Sequence, residues 1–102
     1  MTDGQGASSS NAIRRVRVRV SGRVQGVAYR ASACMAARAH GLVGWVRNLP
    51  DGSVELEAQG SEPQVALFLV WCHRGPPSAK VSGLDLAGVA VEVDAVGFEI
   101  RR

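Results

Sequence analysis

The stretch Ser21-Gly22-Arg23-Val24-Gln25-Gly26-Val27-Ala28-Tyr29-Arg30 joins two segments of different periodicity, and that junction constrains the fold more than any other feature. Before it, Arg15 to Val20 alternates strictly. Arg15, Arg17 and Arg19 share one face and Val16, Val18 and Val20 the other, the pattern of a strand with one face in the core and one in water. After it, Tyr29 to His40 reads as a helix, since Ala31, Ala33, Ala36, Ala37 and Ala39 favour helix and let it lie close against a sheet. Gly26 can turn the chain at positive φ without a Cβ penalty. A loop that turns this way just before a helix points successive backbone N–H groups into one concavity, and the helix N-terminus adds partial positive charge there. The result is an anion site, and phosphate is the anion most often met in one. Arg30, in the first helical turn, can bring a planar fork over the same hollow and meet two phosphate oxygens at once. The stretch is neither a P-loop, lacking the Lys-Ser/Thr pair, nor a dinucleotide fingerprint, lacking the third glycine.

A second stretch is Gly44-Trp45-Val46-Arg47-Asn48-Leu49-Pro50-Asp51-Gly52-Ser53-Val54-Glu55. Together the two closely resemble the acylphosphatase family. The first matches that family's phosphate-cradle pattern, the second its catalytic-asparagine pattern, and the resemblance runs from about Arg15 to Arg102. One departure stands out: Ala28 is smaller than the bulky or aromatic residue expected in the cradle, which bears on shape and affinity rather than on the chemistry. The resemblance implies hydrolysis of the carboxyl–phosphate anhydride of a small-molecule acyl phosphate. It implies a cradle of backbone amides from Gln25, Gly26, Val27, Ala28, Tyr29 and Arg30, with the Arg30 guanidinium on the phosphoryl oxygens. Asn48 would hold a water in line with the leaving carboxylate through its side-chain amide. A carboxylate leaves readily, so no strong general base is required, which fits the lack of a His or Cys constellation. No metal cluster and no cofactor motif is visible, so Arg30 and the amides would carry the charge that a cation carries elsewhere. Arg23 would add to the positive field. Inorganic phosphate or sulfate would compete for the cradle.

At 102 residues the chain is one domain. Lys and Arg outnumber Asp and Glu by 12 to 9, which suits a small anionic substrate and is too slight an excess to argue for nucleic acid. No apolar run has membrane-spanning length, and no signal peptide is visible. Cys34 and Cys72 show neither metal-ligand nor disulfide-framework spacing, so a reducing cytoplasm is the expected compartment and a monomer the expected state.

Met1 to Ala12 is rich in Gly and Ser with almost nothing to bury, and reads as a disordered tail that leaves residues 13–102 as the domain. Gly41 is a natural stop for the first helix, with Leu42 behind it as the apolar contact of that cap. Cys34 and Met35 read as packing residues, and His40 as a partner for the helix dipole. Val43 to Asn48 and Ser53 to Gln59 read as a hairpin. Its turn, Leu49-Pro50-Asp51-Gly52, has proline to preset φ, aspartate to bond its own backbone and glycine for the left-handed position. Glu55 and Glu57 alternate with Val54, Leu56 and Ala58, and so read as solvated residues that can face strand arginines. Ser61 and Gln64 have the spacing of a capping box opening a second helix. Its core stripe is Val65, Phe68, Leu69 and Cys72, and it ends at Gly75-Pro76-Pro77, with His73 in the last turn. Lys80 to Leu86 reads as a fourth strand and Gly97 to Arg101 as a short fifth. The Val/Ala-rich link between them has no readable structure.

The order β-α-β-β-α-β with a short C-terminal fifth strand points to a ferredoxin-like α/β sandwich, an antiparallel sheet with two helices on one face. The acylphosphatases share this fold. RNA-recognition domains share it too, but they stack bases on aromatic residues of central strands, and the first and third strands here have none. A second rival, an acylphosphatase-like accessory domain of a larger maturation protein, sits poorly with a chain of this length.

Overall fold

A computed structural model describes residues 12–102. The tail read over residues 1–12 therefore lies outside the described residues except for Ala12. That residue already belongs to the fold, because its carbonyl accepts the Glu62 N–H at 3.1 Å.

The elements are β1 (Ile13–Arg23), α1 (Tyr29–Ala39), β2 (Val43–Asn48), β3 (Val54–Ser61), α2 (Glu62–Arg74), β4 (Lys80–Val89) and β5 (Phe98–Ile100). They form one five-stranded sheet in the order β4-β1-β3-β2-β5. The pairs β1–β3, β1–β4 and β2–β3 are antiparallel, as expected. Strand β5 pairs in parallel with β2, so the full sheet is mixed. α1 packs over β2 and β5, and α2 over β1, β3 and β4.

The alternation in β1 sets the core. Val16, Val18 and Val20 lie opposite Ala58, Leu56 and Val54, and all six are fully buried under the helices. Val65, Phe68 and Cys72 of the α2 stripe are buried with them, and Phe98 reaches in from β5 to meet Phe68 edge-on at 6.1 Å. Gly44, at φ 150, lets β2 lie flush against β3, since a Cβ there would come within 1.9 Å of the Glu57 carbonyl oxygen. Met35 departs from its expected packing role: it is 71% exposed on the outer face of α1. Cys34 is buried, its thiol directed at the Phe98 carbonyl, and both cysteines are free.

The other face of the sheet is less open than the alternation suggests. Arg15 is 2% exposed and Glu57 5%. Arg15 Nε and Arg17 Nε both donate to Glu57, at 2.7 and 2.8 Å. The link after β4, unreadable in sequence, folds over this end of the sheet. Glu92 exchanges two backbone bonds with the Gln59 side chain, and its carboxylate lies 3.4 Å from Arg15. Burial by itself would raise the Glu57 carboxyl, but the bonds from Arg15 and Arg17 outweigh it and hold the group below its ordinary range. Its contribution to stability is therefore present above that range and lost as pH falls through the lowered value.

The capping box does not form. Ser61 is the residue before α2, but its hydroxyl makes no cap bond. Gln64 instead faces across to α1, its Oε1 lying 2.8 Å from His40 Nδ1. A tertiary partner has taken the side chain that local spacing assigned to the cap.

Candidate active site

The site is built at the end of β1. A register shift between Ser21 and Gly22 interrupts the ladder with β4 two pairs before its end, and Val24, 1% exposed, pins the chain to the core just before the loop. Gly26 then takes φ 74 and Ala28 φ 65, ψ 24, both left-handed, on either side of Val27. This alternation of hand turns successive amides toward one concavity. Glycine adopts it freely, whereas an alanine Cβ there costs about 1–2 kcal/mol, so Ala28 is held by its surroundings. Tyr29 supplies the hold. It is 1% exposed, its hydroxyl donates to the Cys72 carbonyl at 2.8 Å, and its ring lies 5.3 Å from that of Trp71. Burial pushes the Tyr29 hydroxyl well above its ordinary range, which removes it as an acid or base.

Ala28 is also the N-cap of α1, and it has no side chain to cap with. No acidic residue occupies the first turn. Among the described residues, no backbone or side-chain acceptor meets the amides of Gly26, Val27, Ala28, Tyr29 or Arg30. Unmet N–H groups at a helix start are a standing demand for an acceptor. Arg30 is half-buried in the first turn and has no carboxylate partner among the described residues, unlike Arg15, Arg17, Arg19 and Arg47. Arg23, the last residue of β1, is exposed opposite Lys80.

The hairpin turn delivers Asn48 to the same end of the sheet. Val54 pairs with Val20 on one side and with Asn48 on the other, so Asn48 lies level with the end of β1 and two strands away. The turn has the expected chemistry: Ser53 N–H donates to Asp51 Oδ1 at 3.0 Å and Gly52 takes φ 94. The Ser53 hydroxyl, with the Ser53 amide beside it, holds the Asp51 carboxyl below its ordinary range. The Asn48 Oδ1 is buried and has no hydrogen-bond partner among the described residues. A buried acceptor without a donor costs roughly 1–3 kcal/mol, and such an atom in an ordered turn calls for an explanation.

Sequence reasoning missed what joins the loop to the turn. The Gln25 side chain donates from Nε2 to the carbonyls of Leu49 at 2.8 Å and Ser53 at 2.9 Å. Each carbonyl already accepts a turn amide, so each uses both lone pairs. Gln25 was read only for its backbone amide; because its partners are main-chain carbonyls, no residue type in the turn signals the bond.

Among the described residues no three His, Cys, Asp or Glu side chains come together as a metal would need. No helix among them is long and apolar enough to cross a membrane.

Comparison with known proteins shows the family. The acylphosphatase family profile matches residues 16–100. An acylphosphatase of Methylococcus capsulatus is 54% identical over 90 residues, which are 88% of this chain and 98% of that protein. The structure of an acylphosphatase from Coxiella burnetii superposes with a TM-score of 0.84 at 37% identity, covering 99% of this chain and 100% of that one. One from Bacillus subtilis does so with a TM-score of 0.84 at 33% identity, covering 89% and 100%. Both share the overall fold of this chain, and the chain belongs to the acylphosphatase family.

Proposed function

We propose that the acylphosphatase activity of this chain runs through the amides of Gln25 to Arg30, the Arg30 guanidinium and the Asn48 side chain. The phosphoryl group of an acyl phosphate sits in the concavity before α1, where its oxygens meet the unclaimed N–H groups and the positive end of the helix. Arg30 spans two of those oxygens. Catalysis of phosphoryl transfer is mostly positioning and charge stabilisation of this kind. Asn48 orients a water for in-line attack. The water oxygen bonds to phosphorus as the bond from phosphorus to the acyl oxygen breaks. Carboxylate and inorganic phosphate leave, and the water's surplus proton passes to solvent. No side-chain base is required, and no metal ion.

One observation carries the reading. A set of unmet donors and one buried unmet acceptor lie at the same end of the sheet, tied together by Gln25. An anion satisfies the first and a water the second. Two expectations accompany it: a monomer, and a reducing cytoplasm. Both cysteines are free and buried, and burial pushes the Cys72 thiol up to about 12.

The test is hydrolysis of benzoyl phosphate with and without a chelator, beside a phosphate monoester. Full activity with chelator, little activity on the monoester and competitive inhibition by inorganic phosphate or sulfate are expected. Loss on chelation with restoration by a divalent ion would overturn the metal-free mechanism.

A further inference from the structure

The Gln25 side chain spends both hydrogens of its amide on the hairpin turn, donating to the carbonyls of Leu49 at 2.8 Å and Ser53 at 2.9 Å. Asn48 and Val54 form the last rung of the β2–β3 ladder. Leu49 follows the one and Ser53 precedes the other, so the two carbonyls flank the rung that carries Asn48. Backbone bonds already close this turn, from Leu49 N–H to the Ser53 carbonyl at 2.8 Å and from Gly52 N–H to the Leu49 carbonyl at 3.2 Å. Gln25 thus grips a bonded unit rather than a free loop.

Little else fixes the loop relative to that rung. β1 stays paired with β3 only as far as Val20, opposite Val54, while Ser21, Gly22 and Arg23 pair with β4 alone. Among the described residues no other hydrogen bond joins residues 24–30 to residues 48–54. In-line attack needs the attacking oxygen held opposite the leaving one, and misplacing a reacting group by about 1 Å can cost about 10²-fold in rate. The residue type fits the task. Glutamine offers two N–H donors from one nitrogen, whereas glutamate would set a carboxylate against two carbonyls and methionine has no donor. We infer that the Gln25 side chain is a positioning residue, which holds Asn48, and through it the attacking water, in line with a phosphoryl group in the cradle. The backbone amide of Gln25 serves the phosphate and its side chain serves the water. The inference rests on the mechanism proposed above, which assigns the water to Asn48.

The experiment measures kcat on benzoyl phosphate and the phosphate inhibition constant for the wild type, Gln25→Met, Asn48→Ala and the double variant. In Gln25→Met each turn carbonyl keeps its backbone partner, so the hairpin should survive. Its kcat is expected to fall by up to about 10²-fold, with the inhibition constant little changed. In the Asn48→Ala background the same substitution should cost nothing further, because residues that act as one unit do not add. A merely structural role would cost the same factor in both backgrounds. That outcome, or unchanged kcat in Gln25→Met, would overturn the positioning role, and a loss of turnover in Asn48→Ala would leave the proposed mechanism standing. Wild-type turnover in Asn48→Ala would overturn both. Gln25→Lys keeps N–H donors on a side chain one atom longer. It should retain a larger kcat than Gln25→Met, and equal losses in the two would overturn the donor role.

Discussion

Both helices begin with backbone N–H groups that no helical carbonyl can reach, and the two ends meet that demand by different means. At α2 the chain closes its own helix. Glu62 N–H finds the Ala12 carbonyl, Pro63 has no N–H to satisfy, and the Glu62 carboxylate brings a negative charge to the positive end of the dipole. At α1 each of those devices is missing. The residue before the helix is a left-handed alanine, the first turn has no acid, and the cation Arg30 stands where a closed end would place a carboxylate. One chain thus contains a helix start that the protein supplies with an acceptor and an acid, and another that it supplies with neither. The difference lies in a few side chains and two left-handed residues, and not in the helices themselves.

The comparison breaks most visibly at Arg30. Arg30→Lys is expected to lower kcat/KM on benzoyl phosphate by at least about 10²-fold, because an ammonium cannot span two phosphoryl oxygens; near-normal kinetics would show that charge alone suffices at the open end. Asn48→Ala should cost roughly 10²–10³ in kcat. Its phosphate inhibition constant should stay put, and the unfolding midpoint should not fall, since the variant removes an unmet acceptor and not a bond. A fall in stability with kcat preserved would make Asn48 a turn residue only. Ala31→Glu makes α1 resemble α2 by adding an acid to its first turn. Phosphate affinity, read from competitive inhibition, should weaken about two- to fivefold, the fold equivalent of the 0.3–1 kcal/mol a terminal charge contributes, whereas Glu62→Gln should leave it unchanged. The smallest effect belongs to Ser61→Ala. With no cap bond to lose, it should destabilise by less than about 0.5 kcal/mol in urea unfolding, where a bonded cap costs about 1.

Periodicity and turn chemistry were legible because they are local. The Arg/Val alternation of β1, the stripe of Val65, Phe68 and Cys72, and the Asp51–Gly52 turn each depend on residues within one element. Gly26 was legible for the same reason, as a left-handed residue just before α1. What was not legible depends on partners distant in sequence. Gln64 satisfied the spacing of a capping box, but His40 holds its side chain. Arg15 and Glu57 alternated like solvated residues, and only the Glu92 segment folded above them shows why they are buried. The Gln25 brace and the orphaned Asn48 oxygen have no sequence signature, since one binds main-chain carbonyls and the other binds nothing among the described residues.

The arrival of Phe98 in the core has a kinetic consequence. Its carbonyl accepts from Arg38, 60 residues earlier, and its ring completes the cluster around Phe68. Arg15 pairs with Val89 across a still longer loop. Contacts this far apart must close large loops before they return any free energy, and folding rates fall as such separations grow. The local hairpin from β2 to β3 can form early, but the core beneath α1 is finished only when the last strand docks. Refolding should therefore be slower than helix content alone suggests, with activity returning in step with the final phase.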